Sequence, residues 1–349
     1  MSDRRLRVGI AGYGVVGKRR RIHIDANPHF HTVAVSDITF GTSGTLPDGI
    51  PFYASWQDIL QLDLDVLFVC VPNDVAPAAT IAGLHRGMHV FCEKPPGRTV
   101  GDIRRVIAAE TANPGLKLKY GFNHRYHDSV LEAKEVIDSG RYGPLINLRG
   151  VYGKSAIIPF SGGWRSQRSI AGGGILLDQG IHMLDMLGLF CGDFQEVYSC
   201  VSNDYWRHDV EDNAYALLRS ANGVVAMLHS TATQWRHKFR LEITLREALL
   251  ELTGILSGSK SYGEERLTIV ERSHGSDIGS SKEVTTAYLD DHSWKDEIDE
   301  FADLIVQNGP VVTGTSHDAL RVMELVYRIY CADPHWRTKF DIPCPDHDP

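Results

Sequence analysis

The chain has 349 residues, 43% of them apolar and 23% charged, which is typical of globular proteins and long enough for two hydrophobic cores. Its formal net charge of −8 argues against a nucleic-acid backbone or an anionic membrane as the main partner and favours a small-molecule ligand. The cysteines are scattered without a CxxC pair, and no apolar run approaches about 18 residues. We therefore expect reduced thiols, no membrane span and a cytoplasmic location.

The first third of the chain alternates short apolar strands with helical segments. The predicted strands are Leu6–Ala11, Thr32–Ser36, Val66–Val71, His89–Cys92 and Lys117–Phe122. The predicted helices follow Gly17, lie near Trp56–Leu60, and span Ala76–Arg86 and Val100–Thr111. This alternation predicts βαβ units and a doubly wound parallel sheet in a domain of residues 1–123.

From residue 145 onward, most predicted strands are joined by short turns. They are Leu145–Tyr152, Glu196–Ser202, Asn213–Arg219, Val224–Thr231, Phe239–Thr244, Leu249–Thr253, Leu267–Glu271 and Glu283–Tyr288. Ala221-Asn222-Gly223 predicts a type I′ hairpin turn. We expect an α+β domain over residues 124–349 with a large, mainly antiparallel open sheet. A helix at 317–331 is free to pack back on the first domain, and an uncovered sheet face predicts a homodimer or homotetramer.

A glycine-rich turn follows the first strand and opens a helix. It reads Gly12-Tyr13-Gly14-Val15-Val16-Gly17, and in this context the glycines allow a tight turn, close approach of a pyrophosphate and helix–strand packing. Asp37 comes 20 residues after Gly17, at a strand end, where a carboxylate accepts hydrogen bonds from ribose hydroxyls and repels a 2′-phosphate. The motif predicts a Rossmann dinucleotide site that prefers NAD to NADP. Lys18-Arg19-Arg20-Arg21 could neutralise such a phosphate, but we interpret this run as a solvated helix face.

Two further segments carry candidate catalytic groups. Lys94, within Glu93-Lys94-Pro95-Pro96, follows an apolar strand and should project from the carboxyl edge of the parallel sheet, where ligands of such folds bind. In Asp178-Gln179-Gly180-Ile181-His182-Met183-Leu184-Asp185, positions 178, 182 and 185 share one face of a helix. A carboxylate one turn from an imidazole can keep it basic, as a general base requires. The alternatives are a capping Asp178 with a buried, hydrogen-bonded His182, or a divalent metal site, for which no further ligand has a suitable spacing.

Together these segments resemble the Gfo/Idh/MocA oxidoreductase family, which includes glucose–fructose oxidoreductase and inositol dehydrogenase. The resemblance covers nearly the whole chain. It rests on the glycine motif with Asp37, Val71-Pro72-Asn73, Glu93-Lys94-Pro95, Asn123-His124-Arg125 and the DxGxHxxD pattern of residues 178–185. The family implies hydride transfer between a nicotinamide and a secondary alcohol of a sugar or cyclitol.

The resemblance also implies roles for individual residues. Lys94 would polarise the reacting oxygen, His182 would accept its proton and Asp178 would support the substrate or the imidazole. Four residues would line the nicotinamide end, namely Pro72, Asn73, Glu93 and Asn123. Gly163-Trp164-Arg165 resembles the family's substrate-side loop, and Arg125 joins Trp164 and Arg165 as a candidate substrate contact, although Trp164 could equally be a core residue.

The substrate class is left open between several possibilities. Segments of the second domain are similar to those of relatives associated with surface-polysaccharide sugars, which favours a nucleotide sugar. The alternatives are a glycosidase-type redox enzyme that retains its NAD, and a non-catalytic NAD-binding regulator.

Overall fold

The computed structural model of the chain describes residues 4–157, 163–257, 261–272 and 281–345. The chain divides into two compact units. Unit 1 comprises Met1–Phe122, Ser169–Gly172 and Trp294–Leu320, and unit 2 comprises Asn123–Arg168, Gly173–Ser293 and Arg321–Pro349. The boundary after residue 123 stays a prediction. In this division, 169–172 and 294–320 belong to unit 1, although the sequence analysis assigned them to the second domain.

Unit 1 contains a seven-stranded sheet whose strands are β1 (Leu6–Ala11), β2 (Phe30–Ser36), β3 (Gly44–Thr45), β4 (Pro51–Tyr53), β5 (Val66–Val69), β6 (His89–Glu93) and β7 (Leu118–Gly121). Their order is β3-β4-β2-β1-β5-β6-β7. All pairs are parallel except the short edge pair of β3 with β4. β5 is buried along its whole length, as expected for an inner strand of a parallel sheet covered on both faces.

Unit 2 contains an eight-stranded sheet whose strands are β8 (Leu145–Ser155), β9 (Phe194–Ser202), β10 (Asn213–Ser220), β11 (Val225–Gln234), β12 (Lys238–Leu245), β13 (Ala248–Thr253), β14 (Glu265–Arg272) and β15 (Ser281–Tyr288). Their order is β15-β14-β13-β12-β8-β11-β10-β9. The pair of β8 and β11 is parallel and the other pairs are antiparallel. A parallel sheet in one unit and a mainly antiparallel sheet in the other confirm the predicted fold class.

The α-helices of the described chain are α1 (Val15–Ala26), α2 (Trp56–Ile59), α3 (Ala76–His85), α4 (Val100–Thr111), α5 (Asp128–Asp138), α6 (Arg168–Ala171), α7 (Ile181–Cys191), α8 (Ser293–Val306), α9 (Ser316–Ala332) and α10 (Pro334–Phe340). A π-helical turn, Leu176–Gly180, precedes α7. The sequence analysis did not predict α5 and α10. In α4 the local sequence explains where the helix begins, because Thr99 and Asp102 form a capping box at its first turn. The apolar residues that follow are buried.

The eight-stranded sheet has one covered and one open face. Buried residues of β8 alternate with more exposed ones, and α7 packs on the covered face against Gly150. A Cβ on Gly150 would lie 2.6 Å from Sδ of Met183, so glycine is what lets α7 approach the strand. β8 is central in its sheet, and the helix that carries His182 therefore lies on a rigid support.

The hairpin between β10 and β11 differs from the predicted turn. Gly223 has a φ of +82°, whereas the described non-glycine residues with positive φ are Arg207, Asn308 and Asp341, so Asn222 does not meet the type I′ requirement. The amide of Gly223 donates to Ser220 O over 2.9 Å, and the amide of Ser220 donates to Val224 O. The connection is a three-residue loop closed by a left-handed glycine, and the type I′ prediction is wrong.

One helical stretch of the described residues, Arg168–Cys191, is long and apolar enough to cross a membrane by length and composition alone. The sequence analysis predicted no span. In the structure, 67% of the most apolar window of this stretch is buried inside the protein. Core burial accounts for the same apolar composition, so this stretch is weak support for a membrane span.

Candidate active site

The glycine-rich turn lies where the sequence places it, between the end of β1 at Ala11 and the start of α1. Gly12 has a φ of +92°, and a Cβ there would lie 2.3 Å from the carbonyl oxygen of Cys70. A Cβ on Gly17 would lie 2.0 Å from Gly12 O, so neither position tolerates a side chain. A Cβ on Gly14 would meet nothing within 4 Å, and no side chain caps α1 there. The turn thus leaves open space before a helix N-terminus, which fits the pyrophosphate of a dinucleotide.

Asp37 lies directly after β2 and holds the same turn. Its Oδ2 accepts a hydrogen bond from the amide of Tyr13 over 2.9 Å. Its Oδ1 accepts from the amide and the hydroxyl of Thr39, over 3.0 and 2.7 Å. The carboxylate is therefore fixed next to the glycine turn, where the sequence analysis expected a ribose. Ile38, the next residue, is 83% exposed and offers an apolar surface beside it.

The basic run after the turn is only partly the solvated face that we predicted. Lys18 is exposed, but Arg20 is completely buried, so the prediction is wrong for Arg20. Arg21 forms ion pairs with Asp25 and Asp48, at 3.0 and 2.5 Å, and donates to the Tyr13 hydroxyl. Its positive charge is thus already balanced by two carboxylates near the glycine turn, which lowers its attraction for a 2′-phosphate.

Glu93 and Lys94 come at the carboxyl end of β6, as predicted. Glu93 forms an ion pair with the buried Arg20, with 2.5 Å between Oε1 and Nε. Lys94 is partly buried, and the peptide bond between Lys94 and Pro95 is cis. At the end of the neighbouring strand β5, Asn73 is buried and its Nδ2 donates to the carbonyl oxygen of Ala171 over 2.7 Å. Polar groups of unit 1 therefore gather where parallel strands end, the usual ligand edge of such a sheet.

His182 and Asp178 lie in unit 2, on either side of the junction between the π-helical turn and α7. His182 is 4% exposed, and Asp178 is partly buried within the π turn. Such turns are frequent at functional sites because they reorient side chains within a helix. Asp178 forms an ion pair with Arg165, 3.3 Å from Oδ1 to Nε. The predicted substrate residue Arg165 is therefore brought to the predicted catalytic carboxylate.

His124 is a residue that the sequence analysis named within a motif but gave no role. Its ring stacks on the ring of His182, with 3.7 Å between centroids and 16° between planes. The Nδ2 of Asn123 donates to Ser293 Oγ, which leaves Asn123 Oδ1 to accept from His124 Nδ1 over 3.2 Å. The other nitrogen, Nε2, lies 3.1 Å from the hydroxyl of Tyr152.

These contacts are compatible with a neutral His124. Burial raises the pKa of Tyr152 well above its usual range, so the hydroxyl keeps its proton and can donate to Nε2. A neutral ring stacked on His182 adds no repulsion when His182 takes up a proton, whereas two charged rings at this distance would repel.

Arg125 and Asn123, both predicted ligand contacts, have partners inside unit 2. Arg125 donates twice to Asp185, over 2.8 and 2.6 Å, in a bidentate ion pair in which both side chains are nearly buried. This pair anchors the second acidic position of the DxGxHxxD pattern to the segment before α5. A contact of Arg125 or Asn123 with a ligand stays a prediction.

Lys154, Tyr262 and His237 complete the surroundings of Asp178, and the sequence analysis missed all three. The Tyr262 hydroxyl donates to Gln179 Oε1 over 2.9 Å, and its ring packs against those of Tyr152 and His237. Burial is the largest cause that lowers the pKa of Lys154, with the Asp178 charge opposing it and the Arg165 charge adding to it. Trp164 stacks with Arg165, whose Cζ lies 4.3 Å from the indole centroid. This cluster offers both charges and aromatic faces to a polar ligand.

The predicted site residues thus form two groups, one in each unit. Unit 1 holds the glycine turn with Asp37, Asn73 and the pair Glu93 and Lys94. Unit 2 holds Asp178, His182, Arg165 and their neighbours. Among the described residues, no group of three or more His, Cys, Asp or Glu is arranged to hold a metal ion.

Two family models match most of the chain. Residues 6–121 match the oxidoreductase family with an NAD-binding Rossmann fold, and residues 130–251 match the GFO/IDH/MocA C-terminal domain. Levoglucosan dehydrogenase of Pseudarthrobacter phenanthrenivorans is 26% identical over 274 residues, which are 65% of this chain and 67% of the relative. D-glucoside 3-dehydrogenase of Escherichia coli is 28% identical over 255 residues, 66% of this chain and 71% of the relative.

The fold is also similar to solved structures over nearly the whole chain. A levoglucosan dehydrogenase in complex with NADH superposes with a TM-score of 0.79 at 23% identity, covering 95% of this chain and 98% of the other. At this identity the likeness shows the fold alone. The two family models, one for each part of the chain, are therefore the evidence for its family.

Proposed function

Because this chain belongs to the GFO/IDH/MocA family of oxidoreductases, whose N-terminal domain is an NAD-binding Rossmann fold, we propose that it is a sugar dehydrogenase. Its reaction would be hydride transfer between NAD and a secondary alcohol carbon. The observation that carries the proposal is the buried His182, stacked on His124 and one helical turn from Asp178. The relatives named above are dehydrogenases of sugars and of glucosides, which supports a sugar substrate.

The proposed chemistry assigns one task to each residue. Oxidation of an alcohol removes a proton from oxygen and a hydride from carbon, and bound NAD would supply the hydride acceptor. His182 accepts the hydroxyl proton at a ring nitrogen. Lys94 donates a hydrogen bond to the same oxygen and stabilises the negative charge that develops on it. Asp178, held by Arg165, orients the substrate hydroxyls or the imidazole.

We also propose that NAD is preferred to NADP. Asp37 holds a negative charge next to the glycine turn, and the charge of Arg21 is balanced by Asp25 and Asp48. A 2′-phosphate would meet the Asp37 carboxylate, while the nearby Arg21 is already paired with two other carboxylates. The exposed Ile38 would provide an apolar surface for the adenine ring.

For the substrate, a nucleotide sugar of surface-polysaccharide synthesis stays our finer prediction. The cluster of Arg165, Lys154, Trp164 and Tyr262 suits a polyhydroxylated ring that carries an anionic group. The two alternatives are an NAD-retaining glycosidase-type enzyme and a non-catalytic NAD-binding regulator. A cytoplasmic location and a homo-oligomer complete the proposal.

The test begins with the wild-type protein, NAD, and a panel of free and nucleotide-linked sugars, followed by the absorbance of the reduced nicotinamide. Mass spectrometry of the purified protein under native conditions reports any NAD carried through purification. Net reduction with one sugar supports the dehydrogenase. Tightly held NAD without net reduction supports the retained-cofactor enzyme or the regulator instead.

Two substitutions then test the site. Lys94→Ala and His182→Ala should each lower kcat by about two to four orders of magnitude, as loss of acid–base or electrostatic assistance does. Lys134→Ala, an exposed lysine of α5, serves as the matched control and should keep the wild-type rate. Near-normal rates in both site variants would remove Lys94 and His182 from the mechanism.

A further inference from the structure

Arg20 is the one member of the basic run that α1 turns fully inward. It shares the buried face of the helix with Gly17 and Ile24, and none of its surface is exposed. Arginine is almost never fully buried unless its charge is paired. Its environment therefore has to explain its presence.

Two carboxylates and two aromatic rings surround the Arg20 guanidinium. Nε donates to Glu93 Oε1 over 2.5 Å, and Nη2 lies 2.7 Å from Glu297 Oε2. The Cζ atom is 4.5 Å from the ring centroid of Phe91 and 4.3 Å from that of Trp294. A planar guanidinium can bridge two carboxylates and stack on rings at the same time, which the point charge of lysine cannot do.

Gly121 shows how closely this arrangement is packed. It pairs with Glu93 across β6 and β7, and a Cβ there would lie 2.9 Å from Nη2 of Arg20 and 3.1 Å from Oε2 of Glu93. Any larger residue would push the guanidinium or the carboxylate away. Glycine at this position of β7 therefore leaves the space that the ion pair of Arg20 and Glu93 occupies.

The ion pair lies at the base of the turn that carries Lys94. Glu93 is the last residue of β6 and Lys94 follows it directly. Replacing a buried ionic cluster by apolar residues often leaves a protein equally or more stable, so stability alone does not account for this cluster. The position of the cluster accounts for it, because Arg20 links α1, the helix that begins at the glycine turn, to Glu93 and so to the Lys94 that follows it.

We propose that Arg20 is a positioning residue for Lys94, acting through Glu93. The inference rests on the proposed function, in which Lys94 contacts the reacting oxygen. Arg20, which is itself paired with Glu297, holds the Glu93 carboxylate, and the held carboxylate sets the direction in which the next residue leaves the strand. Small displacements of a catalytic group cost large factors in rate, so this support should appear in kcat.

The experiment is a double-substitution cycle of Arg20→Lys, Glu93→Gln and both together, in the full-length protein. Arg20→Lys keeps the charge and should lower kcat by about 10- to 100-fold. Its Kd for NADH, measured by fluorescence, should stay near the wild-type value, because the Arg20 side chain pairs with Glu93 and Glu297 rather than with Asp37 and lysine keeps its charge. If Arg20 acts through Glu93, the double variant should be no slower than the slower single variant.

The matched control is Asn27→Ala. Asn27 Nδ2 donates to Asp299 Oδ1 over 2.6 Å and, like Arg20, links α1 to α8, but it caps the C-terminal end of α1, seven residues beyond Arg20. This variant should lower Tm while kcat stays at the wild-type value. A wild-type kcat in Arg20→Lys, or losses that multiply in the double variant, would overturn the proposal.

A second readout separates this proposal from the proposed function. The rate at which an amine-reactive reagent modifies Lys94 is measured by mass spectrometry and compared with the rate at the exposed Lys18. This ratio reports the surroundings of the Lys94 ammonium in the absence of substrate. It should change in Arg20→Lys and not in Asn27→Ala. If no sugar is oxidised but this change is seen, the proposed function fails and the positioning stands. Unchanged Lys94 reactivity in Arg20→Lys overturns the positioning.

Discussion

Asp37 has two tasks at the residue scale. It carries the charge that we propose excludes a 2′-phosphate, and it accepts a hydrogen bond from the Tyr13 amide within the glycine turn. A single carboxylate therefore couples the shape of the turn to the choice of cofactor. Serine at this position could still accept one hydrogen bond but carries no charge.

Asp37→Ser should shift the ratio of kcat/KM for NAD over NADP toward NADP by about 10- to 100-fold, the effect of losing a charged contact worth about 1.5–3 kcal/mol. Initial rates with each cofactor measure the ratio. Asp63→Ser is the control, since Asp63 is an exposed carboxylate that pairs with Arg4 and Arg7 and not with the turn amide or Arg21. An unchanged ratio in Asp37→Ser would place the discrimination elsewhere in the chain.

Glu297 links pH to stability. Burial raises its pKa from 4.5 to about 7, against the opposing charges of Arg20 and Lys119. Between these two values the native chain retains a proton that the unfolded chain has released, so the free energy of unfolding falls as the pH rises. Above about pH 7 the loss is complete.

Glu297→Gln should flatten this dependence. From about pH 5 to about pH 8, the wild type should lose about 2 kcal/mol more stability than the variant, which follows from a shift of this size. Urea unfolding at several pH values measures the difference. Glu196→Gln, an exposed position on β9, should keep the wild-type slope. If the free energy of unfolding varied with pH in the same way in the wild type and in Glu297→Gln, Glu297 would not be the group responsible.

At the element scale, the segment from Gly172 to His182 is held by close packing. A Cβ on Gly173 would lie 2.2 Å from the Tyr330 hydroxyl, and one on Gly174 would lie 2.1 Å from Glu211 O. The buried Glu211 also accepts hydrogen bonds from the Leu176 amide and from Tyr330, over 3.0 and 2.7 Å. The glycines are required here by close approach, and they fix the start of the π turn.

Gly174→Ala should therefore destabilise unit 2 by about 1–3 kcal/mol or more, because its methyl group meets backbone rather than a movable side chain. It should also lower kcat, since the π turn carries Asp178. Gly188→Ala, farther along α7, meets no atom within 4 Å and should instead stabilise by about 0.5–1 kcal/mol. Chemical unfolding of both variants tests the opposite signs. Equal stability of the two would contradict the packing argument.

At the scale of the whole molecule, the open face of the eight-stranded sheet is the surface that suggests a homo-oligomer. The register of β9 and β10 places Tyr198 beside Leu217 and Cys200 beside Tyr215 on this face. Three of these side chains, Tyr198, Tyr215 and Leu217, are at least 50% exposed. Farther across the face, Arg149 and Arg240 pair with glutamates of neighbouring strands. An apolar patch next to an ion-pair region is a typical self-association surface.

Leu217→Lys should dissociate the oligomer that we predict, because it introduces an unpaired charge into the buried contact. Light scattering coupled to size-exclusion chromatography measures the mass directly. Val312→Lys, at a 71% exposed apolar residue of unit 1, should leave the mass unchanged. A wild-type protein that is already monomeric would refute the predicted oligomer.

Much of the fold and of the candidate site was predictable from local signals. The glycine turn, the strand ends at Asp37 and Lys94, and the spacing of Asp178 and His182 depend on residues close in sequence, where backbone conformation and periodicity are decided. The strands of unit 2 were predicted within a few residues for the same reason. The hairpin at Asn222 was not, because the choice between two turn types depends on small differences in strand pairing.

By itself, the sequence determined the alternation of strands and helices, the dinucleotide turn and the candidate catalytic residues. Only the tertiary structure decided that Arg20 is buried between Glu93 and Glu297, and that His124 stacks on His182 and meets Tyr152. These partners are separated by tens to hundreds of residues, and a charged residue in a basic run looks the same in the sequence whether it faces water or a buried carboxylate. Burial and long-range pairing arise only when the chain packs, and they set the charge and orientation of these side chains.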